Sequence, residues 1–251
     1  MLHSVRNEDI QLHFENGFAE TRVLNDVYPS VQVYRGVLKE GCNARPTVYH
    51  QAHQIFSFTG GTGYVTTRDK AYNITELSFF IANLDEPFKI HATTELVYTK
   101  FVVDLTDHDM KIYNTFHIVL PYFISISNAQ EYWQSCKTPG TRSWTILATK
   151  RLNRCLMGVV ESNSAGGTFE KGHPAVAQWN IILNDADMIL DVEGEKTPQK
   201  PGDISYVEAG LDHCLSCDGK GKTHYIWFEH YVQEKDYIVT NPQRVDQHSD
   251  D

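Results

Sequence analysis

Apolar and polar residues alternate in short runs along this chain, at 31–37, 54–58, 63–67, 96–103, 181–183, 188–192 and 224–231. A two-residue period puts successive side chains on opposite faces of an extended backbone. Each run is bounded by Gly, Pro, Asn or Asp, so the pattern predicts strands separated by tight turns. One segment reads as helix. Asn128 followed by Glu131 has the spacing of an N-terminal cap with its reciprocal acid, and predicts a helix over 129–136. The stretch 137–142, with Pro139-Gly140, then reads as a turn. The chain is expected to be all-β with a short helical connector near its midpoint.

The halves on either side of that connector resemble each other. Gly36-Val37-Leu38 recurs as Gly158-Val159-Val160, His50 as His173, Gln54 as Gln178 and His91 as His213, at offsets of 122, 123, 124 and 122. Ala82-Asn83-Leu84-Asp85 parallels Ala209-Gly210-Leu211-Asp212. Ordered anchors drifting by only two residues indicate an internal duplication. The expected division is 1–125 with an N-terminal arm, a linker over 126–145, and 146–251.

Composition narrows the partners. Of 251 residues, 41% are apolar and 22% charged, which is ordinary for a globular protein. The net charge of −10 would repel a phosphate backbone, so no nucleic-acid partner is expected. No membrane partner is expected either: nothing nears the ~18 consecutive apolar residues of a span, and the nearest stretch, 119–124, is interrupted by Pro121. Arg6, Glu8 and Asp9 leave the N-terminus without the apolar core of a secretory signal. Five cysteines, an odd number, point to a reducing compartment. A cytoplasmic protein acting on a small-molecule substrate is the expectation. Exposed sheet edges and many aromatics suggest a homodimer.

In each half a histidine is followed four or five residues later by glutamine, then by an apolar strand, a glycine-bearing turn and a second histidine. His50 and Gln54 have even spacing, so on one strand they share a face. His173 and Gln178 need a bulge or a change of strand to do so, which Pro174 allows. This arrangement resembles the cupin superfamily, and the duplication resembles a bicupin. The first motif looks like Tyr49-His50-Gln51-Ala52-His53-Gln54-Ile55-Phe56, closing on Gly60 or Gly61, and the second like Pro87-Phe88-Lys89-Ile90-His91. In the other half Gly172-His173-Pro174 through Gln178-Trp179 stands for the first motif, and Pro201-Gly202-Asp203 with Ala209 to His213 for the second. The resemblance implies two tandem double-stranded β-helix (jelly-roll) barrels, each able to hold a divalent transition metal: Zn, Mn, Fe or Ni. The implied ligands are His50, Gln54 and His91 in one half and His173, Gln178 and His213 in the other.

The chain departs from that family's pattern in two ways. Gln replaces the usual acid in both halves, and the leading His is missing, with Val48 and Lys171 in its place. An all-neutral ligand set would leave the ion a stronger Lewis acid but more weakly held. His53 either substitutes as a ligand through a bulge or serves with Tyr49 and Tyr64 as a candidate proton shuttle. Lys171 and Trp179 are candidate substrate contacts.

Other motifs read more simply. Cys214 and Cys217 have zinc spacing, but lack a second pair and sit near a turn. Thr59-Gly60-Gly61-Thr62-Gly63 lacks the Lys-Ser/Thr ending of a phosphate loop and reads as a hairpin. Asn73-Ile74-Thr75 is a glycosylation triplet with no secretory signal to make it relevant, and 246–251 reads as a solvated acidic tail.

The resemblance implies a metal-dependent enzyme acting on a sugar, uronate or hydroxy/keto acid. The ion would polarise a carbonyl and stabilise an enediolate while a nearby base moves a proton, giving isomerase, epimerase or lyase chemistry. An Fe(II) dioxygenase and a non-catalytic metabolite-binding module are the alternatives.

Overall fold

The structure, a computed structural model, describes residues 2–116, 118–163 and 165–236; the acidic stretch 246–251 lies outside them. The chain folds as two compact units, one of Glu8–Ala129 and the other of the first residues through Asn7 together with the chain from Gln130 onward. The N-terminal arm, expected to belong with the first half, is instead an edge strand of the second unit: Leu2–Val5 pairs antiparallel with Ile204–Val207. Asp203 secures this arm, accepting from the Asn7 backbone N–H at 2.9 Å and from Arg6 at 3.2 Å.

In the first unit a six-stranded sheet runs in the order Tyr122–Ser125, Ser78–Ile81, Ala52–Gly60, Leu96–Asp104, Val31–Leu38, Phe18–Val23. A four-stranded sheet runs Asn43–Ala44, Lys89–Ala92, Gly63–Thr66, Ala71–Ile74. Phe56, Phe58, Phe80 and Tyr98 from the first sheet and Val65, Ile74 and Ile90 from the second form one buried cluster. The second unit has a seven-stranded sheet of Leu2–Val5, Ile204–Val207, Val176–Ile182, Thr223–Tyr231, Cys155–Ser162, Thr141–Leu152 and Gln130–Tyr132. Its four-stranded sheet orders Gly166–Glu170, His213–Cys217, Met188–Val192, Glu195–Gln199. Leu156, Ile182, Tyr225 and Trp227 meet Met188, Leu190 and Leu215 in its core. Each unit is thus a two-sheet antiparallel sandwich closed by apolar packing, rather than a barrel closed by a continuous hydrogen-bonded ladder.

The expected helical linker is not there. Residues Gln130–Tyr132 form a strand against Thr141–Leu152, preceded by a single 3-10 turn at Ile126–Asn128. Glu131, expected to cap a helix, makes a bidentate pair with Arg142 across the hairpin at 2.8 and 3.0 Å. The one α-helix among the described residues is Asp107–Thr115. The Thr106 hydroxyl accepts from the Asp109 N–H while the Asp109 carboxylate accepts from the Thr106 N–H, a full capping box. No helix among the described residues is long and apolar enough to cross a membrane.

Strand register tests the duplication residue by residue. Gln54 pairs with Val102 and Gln178 with Glu229, so the two glutamines occupy matching places. Four residues along, Tyr98 lies opposite Gly36, while its counterpart Tyr225 lies opposite Val160. Gly36 and Gly158 are therefore not equivalent, although each makes room for a ring: a Cβ would sit 2.1 Å from Tyr98 and 2.5 Å from Trp227 respectively. The His91–His213 anchor fails more fundamentally. His213 faces inward with Leu215, whereas in the first unit the inward positions are Ile90 and Ala92, and His91 faces out.

Candidate metal centre

The second unit brings its three predicted ligands together. His173 lies in the loop entering Val176–Ile182, Gln178 points inward from that strand, and His213 begins the strand His213–Cys217. The His213 Nε2 is 3.2 Å from Gln178 Oε1, and its Nδ1 is 3.1 Å from the Leu211 carbonyl, which favours an Nδ1–H donor and leaves Nε2 directed at the site.

Two residues that the sequence pattern did not single out complete the group. Glu170 places Oε2 3.6 Å from the Nε2 atoms of both His173 and His213. Glu229 faces inward opposite Gln178, and ligand atoms of Glu170, His173 and Glu229 all lie within 4.8 Å of one another. Two donors bound at about 2.1 Å to one ion stand about 3.0–3.4 Å apart, so separations of 3.2–3.6 Å suit a common cation with little adjustment. The donors, two imidazoles, an amide oxygen and one or two carboxylates, fit a divalent transition metal. An acid thus stands beside the neutral donors expected from sequence: Glu170, at the end of the strand three residues before His173.

The environment is narrow and polar. Two clefts of about 10 Å³ each, room for roughly one water apiece, meet at Gln178. One is lined by His173, Leu211 and His213, the other by Tyr132, Glu170, Trp227 and Glu229. Burial, reinforced by Glu170 and Glu229, pushes the Tyr132 hydroxyl far up, so it stays protonated. The Lys137 ammonium sits 3.9 Å over the Tyr132 ring, and burial pulls its pKa down to about 8.

The Glu170 carboxylate raises the His173 pKa against the opposing pull of burial, and Glu229 adds to the rise. A group whose folded pKa is raised contributes stability that is complete below its unfolded value, about 6.5, and is lost as pH rises through the folded value. Metal needs the neutral imidazole. In calorimetric titrations with Mn(II), affinity is expected to start falling above about pH 6.5 on acidification, with proton release on binding. The metal-free protein should show the opposite trend, losing stability as pH rises through that window. Flat affinity across this range would contradict the Glu170–His173 coupling.

The first unit does not assemble its set. His50 is in a turn, its side chain 85% exposed and its Nδ1 against Asp85. Gln54 faces inward and donates to the Thr47 carbonyl at 2.9 Å. His91 faces out, stacked on Tyr64 with ring centroids 4.4 Å apart and held by Thr66 Oγ1 at 3.0 Å. Strand alternation separates them: Ile90 and Ala92 turn into the core, so His91 cannot. Where the second unit has Glu229, this one has Val102. Its inward polar group is instead an ion pair, Lys100 to Glu20 at 2.5 Å, with Tyr98 donating to the same carboxylate at 2.7 Å.

The remaining candidates also fall away from the metal centre. His53 is buried on the opposite face of its strand from Gln54, 5.8 Å from the Tyr113 ring. Tyr49 is half-buried in the first unit, its backbone carbonyl accepting from the Asp85 N–H. Tyr64 belongs to the outer face with His91. Lys171 is exposed, and Trp179, one residue past Gln178, is buried on the other face of its sheet against Tyr206 and Phe228. Cys214 and Cys217 form no disulfide and lie on opposite faces of one strand. Glu161, Asp185 and His224 cluster like ligands, but the Lys222 ammonium fills that place, 2.6 Å from Glu161 and bonded to Asp185.

No family model and no curated protein matches the chain. Solved structures do. A putative glyoxylate-induced protein from Pseudomonas aeruginosa matches with a TM-score of 0.75 at 10% identity, over 92% of this chain and 90% of that one. Bacillus subtilis oxalate decarboxylase, studied for its Mn(II) centres, matches at 0.64 and 13% identity over 91% and 79%. A cupin 2 conserved barrel domain protein from Leptotrichia buccalis matches at 0.61 and 12% over 91% and 96%. Two antiparallel sandwich units and these likenesses agree with the motif resemblance: the fold of this chain is that of the cupin superfamily.

Proposed function

We propose that the second unit is a metal-dependent catalytic centre for a small carboxylic-acid metabolite. The observation that carries this reading is the convergence of Glu170 Oε2 with the Nε2 atoms of His173 and His213, with Gln178 Oε1 beside them. Glu170, His173, Gln178 and His213 would hold the ion. A bound divalent cation supplies Lewis-acid stabilisation of negative charge on a substrate oxygen. Glu229, buried beside the cleft, is placed to accept and return a proton. Tyr132, kept protonated, is a hydrogen-bond donor at the cleft wall. The narrowness of the clefts keeps bulk water away. Likeness to an oxalate decarboxylase supports the substrate class, and proton transfer next to a carbonyl, of isomerase or lyase type, is the reaction these groups suit.

The donor set supports one further reading. Two His and one carboxylate with open positions are also the ligands of Fe(II) oxygenases. Protein loaded separately with Mn(II), Fe(II), Ni(II) and Zn(II) would be assayed by NMR against hydroxypyruvate, pyruvate, lactate and oxalate, with and without oxygen. Anaerobic turnover with Mn(II) is expected. Glu229→Gln should retain metal and lose at least about 100-fold in rate. Turnover confined to Fe(II) with matching oxygen uptake would replace the first reading by the second, and ligand binding without turnover would leave a binding module.

A further inference from the structure

A cavity of about 890 Å³ in the first unit lies on the outer face of its four-stranded sheet. It falls within the ~300–1,000 Å³ of small-molecule sites. Register explains its lining. Asn43 pairs with His91 and Ala44 with Ile90, so Arg45 comes to lie beside Lys89. On the other side Tyr64 pairs with His91 and Thr66 with Lys89. One row of the sheet surface is therefore Arg45–Lys89–Thr66 and the next carries the stacked His91–Tyr64 pair, with Arg68 at the rim.

Two cations side by side on neighbouring strands repel each other. None of Arg45, Arg68 and Lys89 has an ion-pair partner among the described residues, in a chain of net charge −10 where carboxylates are plentiful. Of the two acids lining the cavity, Asp85 is taken by His50. The aromatic row is equally specific. His91 is fixed by Thr66 and lies nearly parallel to Tyr64, at 9°, and Tyr64 remains 37% exposed. Burial and Lys89 lower the His91 pKa, so the stack presents an uncharged aromatic surface at neutral pH.

We infer that this groove binds a small organic anion with a flat ring, its phosphate or carboxylate held by Arg45 and Lys89 and its ring laid on Tyr64. This site is independent of the proposed metal centre. Calorimetry on the full chain at low salt, with AMP, 4-hydroxybenzoate, inorganic phosphate and adenosine as probes, tests it. AMP or 4-hydroxybenzoate should bind with a Kd below about 1 mM, and which of the two is tighter tells phosphate from carboxylate. Phosphate should bind more weakly and adenosine negligibly. Arg45→Ala/Lys89→Ala should weaken the winning probe at least about tenfold. Tyr64→Ala should weaken it while leaving phosphate unchanged, and His173→Ala should leave all binding intact. Binding that survives the double substitution, that vanishes in His173→Ala, or that is absent for every probe at ~10 mM overturns the assignment. Phosphate binding as tightly as AMP and 4-hydroxybenzoate overturns it too, since the ring would then contribute nothing.

Discussion

Glu170→Ala and His213→Ala protein is expected to purify without stoichiometric metal, while His50→Ala and His91→Ala protein keeps it. Removing a partner that only orients a ligand already costs about 10–100-fold in metal affinity, so losing a donor should cost at least about 100-fold. Glu170 is the more telling substitution. It supplies the negative charge that an amide cannot, and it approaches both imidazoles at 3.6 Å. Among the described residues of the first unit no such convergence exists: His50 is exposed and His91 is on the outer face of the sheet. Elemental analysis of tag-free protein, with circular dichroism to confirm folding, decides the matter. Metal that persists in Glu170→Ala and His213→Ala but leaves with His91→Ala would place the centre in the wrong unit here.

Glu20→Ala should destabilise the first unit by about 3–5 kcal/mol, the cost of leaving a buried charge without its partner. Lys100 has only 4% of its side chain exposed, and burial already pulls its pKa down against the pull of Glu20. Among the described residues its ion-pair partner is the Glu20 carboxylate at 2.5 Å, which also accepts from Tyr98. An exposed pair would contribute about 0–1 kcal/mol, so the magnitude separates the two cases. All four tryptophans lie beyond residue 130 and report on the other unit, so the readout should be amide exchange along Leu96–Asp104. Glu20→Leu/Lys100→Met should recover most of the loss, since an apolar pair of similar volume removes the desolvation cost. A loss below about 1 kcal/mol in Glu20→Ala would show that water reaches the ammonium.

The two units use the same inward positions for opposite ends. Aligned on their glutamines, the second has Glu229 where the first has Val102, and Trp227 where the first has Lys100. One interior end carries acids and imidazoles, and the other carries an ammonium paired with an acid. A lysine likewise serves as the resident cation at Glu161, Asp185 and His224. Placement of Lys thus marks which acidic clusters are satisfied, and the proposed metal centre is the one where imidazoles converge instead.

Strands were legible because alternation and turn residues act locally: the runs at 31–37, 96–103 and 188–192 appear as Val31–Leu38, Leu96–Asp104 and Met188–Val192. The helix was misplaced because both Asn128/Glu131 and Thr106/Asp109 offer capping spacing, and only pairing with Thr141–Leu152 decides that Glu131 belongs to a strand. Spacing singled out His173, Gln178 and His213, which the fold brings together, and equally His50 and His91, which it does not. A repeat offset counts residues and ignores the phase of the strand. Glu170 and Glu229 carried no signal beyond being acids near apolar runs, and they reach the centre from two different sheets.

By itself, then, the sequence indicated an all-β chain, and it named His173, Gln178 and His213, three of the five residues gathered at the candidate site. Those properties follow from neighbours along the chain, where period and turn chemistry operate over a few residues. Only the tertiary structure shows that Glu170 and Glu229 stand with those residues, that His50 and His91 lie apart, and that the arm Leu2–Val5 pairs along the edge of the second unit. Such choices depend on which face a strand turns inward and which distant strand lies beside it, and a one-residue change of phase reverses every side chain.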